Sequence, residues 1–297
     1  MAFVPFDDRD GWIWHDGEFV PWRDARTHVL THALHYGTSV FEGERMYGGE
    51  IFKLTEHSER LHRSAQLLDF EIPFSVAEID QACKDTCARM GLADCYVRPV
   101  AFRGAEQVSV SAFHTRTHVA IAAWEWPSYF DPETKAKGIR LEWAKWRRPD
   151  PLTAPSNSKA AGLYMICTMS KMAAERRGYA DAMMLDWRGY VAEATGANVF
   201  FVRDGVLHTP PVDGILDGIT RRTVIDLARA RGLEVKVRLF EPAELATFSE
   251  CFLTGTAVEV TPVSEIGEFR FTPGDITLAL MEDYSRLVRR QDAAVAA

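Results

Sequence analysis

Neither a basic excess nor a long apolar run marks this chain. Its 34 Lys and Arg face 42 Asp and Glu, a net charge of −8, which excludes the basic footprint of a nucleic-acid binder and of an adhesive for anionic membranes. A local basic pocket for a phosphate remains compatible with that balance. No uninterrupted apolar stretch approaches the roughly 20 residues of a membrane span. Cysteine is scarce and odd in number, five in all. Cys83, Cys87, Cys95, Cys167 and Cys251 lack framework spacing, which points to reduced thiols. The first residues, MAFVPFDDRD, carry acids where a secretion signal carries bases. Repeats and low-complexity segments are missing, apart from a short alanine-rich end. A cytoplasmic protein is the expectation. What is present is ordinary globular material: 297 residues, 47% hydrophobic and 26% charged, enough for two domains with their own cores.

Taken along the chain, WIWHDGEFV (12–20) is a hairpin around Asp16-Gly17. The next stretch, 27–54, carries His28, His32 and His35 at i, i+4 and i+7. On a helix they would share a face and bind zinc, the signature of a metal hydrolase. No acid stands at a general-base position between them, and the glycine-rich run that follows reads as strand and turns. Thr55–Leu68 is an amphipathic helix with Leu61, Ala65 and Leu68 inward and Arg60 and Arg63 beside them. Val76–Met90 is a second helix. Cys83 and Cys87 share its inner face, as small core residues rather than a metal pair. Cys95–Phe102 is a strand with Arg98 inside an apolar run, and an arginine there requires a partner or a ligand carboxylate. Val119–Trp126 reads as a strand of the fully buried kind.

Pro127–Gly138 shifts to Pro, Asp, Lys and Gly, and residues 128–137 are expected to link a first domain, 1–127, to a second, 138–297. In the second, Ile139–Trp146 is a strand and Ala160–Arg177 a helix. Lys159 stands at the junction before that helix, among small residues (APSNSKAAG, 154–162) that leave room for a carbonyl on its amine. Hairpins follow at 181–192 and around Asp204-Gly205, with Glu193 just after an apolar strand. Gly218-Ile219-Thr220 leads into a helix at Arg222–Arg231, and free N–H groups at such a start suit a phosphate or a plain cap. Leu253–Val263 is a strand with a Gly-Thr-Ala turn, and Ile276–Arg290 a final helix.

An uncrowded lysine, a helix arginine, a helix N-terminus, a Gly-Thr turn and an acid beside a strand are the parts that pyridoxal phosphate requires. The sequence resembles the fold-type IV pyridoxal-phosphate aminotransferases, and among them the branched-chain amino acid aminotransferases. The resemblance runs from about Trp12 to Arg290 and rests on THALHYGTSVFEG (31–43), RLHRSA (60–65), YVRP (96–99), SKAAGLY (158–164), EATGANVF (193–200), GITR (218–221) and GTAVEVTPV (255–263). It implies an α/β (α+β) fold of the D-amino acid aminotransferase-like kind, with a small N-terminal and a larger C-terminal domain. It implies pyridoxal 5'-phosphate in a Schiff base with Lys159, which then moves the α-proton. Tyr164 would bond the ring hydroxyl oxygen, Glu193 the pyridine nitrogen. Arg60, the N–H groups of Ile219 and Thr220, and Thr256 would grip the phosphate, with Leu216 packed on the ring. Tyr36, Phe41, Gly43, Arg98, Tyr129, Thr256 and Ala257 would surround the substrate. The implied partners are small amino acids and 2-oxo acids, with 2-oxoglutarate as acceptor, and a second copy of the chain in a homodimer or larger assembly.

Three departures from the family pattern lie at Val108-Ser109-Val110, at Ala123–Phe130 (AWEWPSYF) and at Glu44. All three are expected on the substrate side. Rivals within the same fold are a D-amino acid or (R)-amine transaminase and a 4-amino-4-deoxychorismate lyase. Tyr36, Phe41, Gly43 and Arg98 together favour the branched-chain reading.

Overall fold

A computed structural model describes residues 4–126, 133 and 137–290. The chain divides into two compact units, Met1–Pro127 with Ser158–Gly162, and Ser128–Asn157 with Leu163–Ala297. The proposed linker, and with it Tyr129, lies outside the described residues except at 133 and 137.

In the first unit, β1 (Trp12–His15) and β2 (Glu18–Pro21) form the hairpin expected around Asp16-Gly17. A one-and-a-half-turn helix, α1 (His32–Tyr36), leads to β3 (Ser39–Phe41), β4 (Glu44–Tyr47) and β5 (Glu50–Ile51). Helices α2 (Leu54–Leu67) and α3 (Val76–Arg89) precede the long strands β6 (Cys95–Arg103) and β7 (Thr117–Glu125). The start of α3 is set by a reciprocal cap, Ser75 and Glu78 each bonding the other's backbone N–H. The strands order as β2-β1-β7-β6-β4-β5, with β3 also on β6, in an antiparallel sheet.

Leu61, Ile79, Cys83 and Cys87 on the helices and Val97, Ala101, Val119, Ile121 and Ala123 on the sheet have no exposed surface. Each side chain of leucine size buried there contributes roughly 2 kcal/mol. β7 is therefore buried on one face, not both: Ala120, Ala122 and Trp124 alternate half-buried with the core residues. Cys83 and Cys87 are core residues as expected, and Cys87 Sγ lies 3.6 Å from Cys95 Sγ.

In the second unit, β8 (Ile139–Trp143), α4 (Tyr164–Glu175), β9 (Asp181–Leu185), β10 (Val191–Ala194), β11 (Asn198–Arg203) and β12 (Val206–Thr209) are followed by α5 (Ile219–Ala230). Then come β13 (Val235–Val237), β14 (Glu250–Gly255), β15 (Glu259–Ile266), β16 (Phe269–Arg270) and α6 (Asp275–Val288). At Leu253–Val263, read as a strand with a Gly-Thr-Ala turn, the turn at Thr256–Val258 reverses the chain so that β14 pairs with β15. The sheet runs β10-β9-β8-β15-β14-β11, and β10 pairs again with β11, so these six strands close into a barrel. Val199, Phe201, Leu253, Val263 and Ile266 fill its buried cluster. Across the closing seam, Glu193 faces Asn198.

Candidate active site

Lys159 belongs to the first unit, although residues of the second flank its segment on both sides. Ala160 bridges Val40 in antiparallel register, Phe41 N–H donates to the Lys159 carbonyl at 3.2 Å, and Lys159 N–H donates to Ser64 Oγ at 3.0 Å. The segment thus extends β3 and hangs from α2. This is why the helix expected from Ala160 starts only at Tyr164, after a 3-10 turn at Ala161–Leu163. A backbone that pairs with Val40 is extended, and Gly162 lies against the backbone of Gly37.

Lys159 keeps part of its surface exposed, yet its amine lies deep among protein groups, 4.9 Å above the Phe41 ring. Burial and then the Arg60 charge push its pKa down to about 8, against the opposing pull of Glu42. Beside it, Glu42 has no exposed surface. Its carboxylate accepts from Arg60 Nε and Nη2, both at 2.7 Å, and from His57 Nδ1 at 2.7 Å. Burial alone would raise Glu42, but Arg60 and His57 hold it well below the usual carboxylate range. His57 is held below its ordinary value, by burial first, so it donates to Glu42 as a neutral ring. Arg60 therefore spends one edge of its planar fork on Glu42, an edge the sequence assigned to a phosphate.

Tyr96, inside the YVRP motif but given no role there, stands over Gly43. A Cβ at that position would run into the Tyr96 hydroxyl, so only glycine fits. Arg98 donates to the same hydroxyl at 3.2 Å and lies over the rings of Phe41 and Tyr96, 4.8 and 5.2 Å from their centres. This is the partner its place in an apolar strand required. Trp124 and Trp126 pack on Tyr96 at 5.2 and 4.9 Å. Tyr36 is exposed at the end of α1.

The rival zinc reading and the expected place of Glu44 both fail here. The three histidines do not converge. His32 bonds Thr38 Oγ1 and the Ser109 carbonyl, His35 bonds the Val29 carbonyl, and His28 accepts the Leu30 N–H. The helix covers 32–36 only, and no cluster able to hold a metal occurs among the described residues. Glu44 is not on the substrate side. It is fully buried beside the Cys83 thiol, under α3, and burial and then the Glu42 charge keep it well above its ordinary value, as the neutral acid. Strand alternation from Glu42 to Glu44 keeps both on the helix-covered face of the sheet.

The second unit carries the other candidates. Glu193 is buried on β10, within the strand rather than after it. Asn198 Nδ2 donates to its carboxylate and to the Leu216 carbonyl, each at 3.0 Å, and the Leu216 N–H approaches it at 3.4 Å. Arg148, which the sequence reading passed over in a proline-rich loop, is its ion-pair partner at 3.1 Å and is itself buried. Arg148 also donates to the Ser156 carbonyl at 3.1 Å. Burial works against its charge, but Glu193, Cys167 and Tyr164 outweigh it and raise the guanidinium above its ordinary value. No local pattern marks that arginine, because long-range packing alone buries it. Gly218 caps α5, and a Cβ there would strike the Asn198 amide oxygen. The helix begins at Ile219, three residues earlier than expected. Ile219 and Thr220 thus sit in its first turn, where backbone N–H groups lack intrahelical acceptors. Gly255, just before the Thr256–Val258 turn, lies against Gly196 and Ala197, beside the same seam.

The family model for amino-transferase class IV matches residues 39–266. The chain belongs to the class IV aminotransferases. A "probable branched-chain-amino-acid aminotransferase" of Rickettsia felis is 42% identical over 97% of this chain and 100% of that protein. The branched-chain amino acid aminotransferase of Escherichia coli superposes with a TM-score of 0.91 at 37% identity, over 94% of this chain and 95% of that one. The T.th. branched-chain amino acid aminotransferase, complexed with N-(5'-phosphopyridoxyl)-L-glutamate, gives 0.90 at 42% identity over 95% of each chain. The α/β fold of this aminotransferase is the two-domain, fold-type IV arrangement of those enzymes. No helix among the described residues is long and apolar enough to cross a membrane.

Proposed function

We propose that this aminotransferase uses pyridoxal 5'-phosphate to move the amino group of leucine, isoleucine or valine to 2-oxoglutarate. The carrying observation is the Lys159 amine, enclosed beside Arg60 and Glu42 and pushed down to about 8. A lysine so placed is uncharged in part of the population near neutral pH, which both attack on an aldehyde and proton transfer demand. The residues fit the cofactor in each unit. The absence of a side chain at Gly43 and Gly218 lets Tyr96 and Asn198 close in on the backbone there, and the first turn of α5 offers N–H groups to a phosphate. The carboxylate of Glu193 is suited to a protonated ring nitrogen.

When bound, the cofactor supplies an electron sink for the pair left at the substrate's α-carbon. Nζ of Lys159 takes the α-proton and hands it on. Glu193, held by Arg148 and Asn198, would keep a proton on the ring nitrogen, and Tyr164 would bond the ring hydroxyl oxygen. The family resemblance assigns the phosphate to Arg60 in the first unit and to Ile219, Thr220 and Thr256 in the second, where Leu216 would pack on the ring. The resemblance assigns Tyr36, Phe41, Gly43, Arg98, Tyr129, Thr256 and Ala257 to the substrate; of these, Tyr36 and Phe41 would offer aromatic walls to an aliphatic chain and Arg98 a partner for the second carboxylate of glutamate. The names of the relatives and the glutamate adduct in one of them support this double specificity.

The chain works as a homodimer or larger, in the cytoplasm. Val29, Leu34, Val110 and Phe113 are exposed at 64% or more. Val29 and Leu34 lie just before and within α1, Val110 and Phe113 in the loop between β6 and β7, and the His32–Ser109 bond joins the two segments. A cavity of about 370 Å³ on the same unit, lined by Leu34, Arg98, Val100 and Phe102, leaves the other sheet face open. Apolar surface of this kind calls for a cover.

The test is an assay of leucine, isoleucine, valine, D-alanine and an (R)-amine with 2-oxoglutarate, alongside borohydride trapping and Lys159→Ala. We expect at least a tenfold preference for the branched L-amino acids and the reduced cofactor on Lys159. A preference for D-alanine or the (R)-amine overturns the substrate assignment, and a colourless protein that cannot be reconstituted overturns the cofactor. Sedimentation of Phe113→Asp should show monomer where the wild type is dimeric.

A further inference from the structure

The reaction chemistry gives no task to Glu42, a fully buried acid that holds its charge, whereas the equally buried Glu44 is kept neutral. Glu42 touches neither solvent nor, in the reading above, substrate. It nevertheless collects donors from every side: Arg60 twice, His57 once, and the Gly43 N–H at 3.3 Å. Its neighbour in sequence, Phe41, carries both the ring under the Lys159 amine and the N–H that fixes the Lys159 carbonyl. One helical turn beyond Arg60, Ser64 fixes the Lys159 N–H. The glutamate, the arginine and the lysine thus share one frame made of β3, α2 and the Ser158–Gly162 segment.

We propose that Glu42 is a positioning residue for Lys159: it locks the Arg60 fork in place and carries the counter-charge that governs how firmly the Lys159 amine holds a proton. The charge arithmetic of the surroundings supports this. From α2 come Arg60, cationic, and His57, neutral. From β6 come Arg98, cationic, and Tyr96. From β4 comes Glu44, kept as the neutral acid, with Cys83 and Asp80 of α3 beyond it. Two guanidinium groups therefore press on the amine, and Glu42 is the carboxylate that opposes them. Removing it while the fold stays closed drives the proton off Lys159. Loosening the packing has the opposite sign, because burial is the largest cause of the depression and water admitted to the pocket relieves it. The direction of the change therefore separates a charge role from a structural one.

The experiment is competitive dinitrophenylation of the full chain freed of cofactor, with the Lys159 peptide quantified by mass spectrometry from pH 5 to 11. Wild type should titrate near 8. Glu42→Gln should titrate lower, with labelling at pH 7 raised about threefold or more, since half a unit of pKa is about a factor of three. Glu44→Gln, which removes no charge, should leave the Lys159 curve in place. Glu42→Asp withdraws the carboxylate by one methylene and should shift the curve in the same direction by less, and it carries the test if Glu42→Gln does not fold. An unmoved or upward-shifted curve in Glu42→Gln, or an equal downward shift in Glu44→Gln, overturns the proposal. The inference concerns the lysine of the cofactor reading but is read out without cofactor. A failure to form a visible cofactor band in wild type would sink that reading, while the labelling still decides the role of Glu42.

Discussion

Glu42 and Arg60 in the first unit meet along a whole edge, with two bonds of 2.7 Å, whereas Glu193 and Arg148 in the second meet at one contact of 3.1 Å. Both pairs are buried, and burying an ion pair is worthwhile only where further hydrogen bonds complete it. The completion differs. Glu42 takes its third strong donor from the neutral His57, and its oxygens are satisfied from α2 and its own strand. Glu193 takes its further donors from Asn198 and, weakly, Leu216, across the seam where the barrel closes. One pair is a frame. The other is an acid presented by a closure, and a functional carboxylate belongs on the second kind of support.

Charge removal should break this contrast most clearly. Glu193→Gln keeps the shape and removes the charge that would hold a ring proton, so kcat should fall about 10²-fold or more. An undiminished kcat would make both pairs mere structure. Next in size, truncating one partner of a buried pair costs about 3–5 kcal/mol. Arg60→Met strands a carboxylate that has lost two bonds and should lie at the upper end of that range, Arg148→Met at the lower. Denaturant midpoints of the two variants read the order, and a reversed order refutes the account of which pair is the frame. Smallest is Glu44→Met. In the unfolded chain Glu44 ionises from about pH 4 upward, while the folded chain keeps it protonated. Wild type therefore loses about 1.4 kcal/mol per pH unit above the unfolded value, until the raised folded value is reached. The methionine variant escapes that loss. It should be the more stable protein, with a lead that grows from pH 5 to pH 7, and a lead independent of pH would show that Glu44 is ionised in the fold.

Local signals in the sequence located the elements well where neighbours along the chain decide them. Asp16-Gly17 and Asp204-Gly205 turn their hairpins, and the stripe of Leu61 and Ala65 marks α2. They failed where a distant segment decides. Ala160 sits in a helix-favouring run but is claimed by Val40, more than a hundred residues away. In Leu253–Val263 the Gly-Thr-Ala turn was legible, but not that it folds the two halves back as paired strands. The candidate residues were legible as types, a lysine among small residues and an acid beside a strand. Their support was not. Tyr96 was inside a recognised motif and Arg148 in none. Glu44 looked like a departure at the substrate and is instead a neutral acid in a core, a fate that only the position of α3 reveals.

The return of Ser158–Gly162 to the first unit has a consequence for anyone cutting this protein apart. A break at Pro127 would give a fragment whose β3 lacks its added edge and whose Ser64 has lost the N–H it accepts from. Neither the fragment nor its complement would hold a finished lysine pocket. The two units are therefore threaded through one another in sequence, and only a permuted or reassembled chain could separate them.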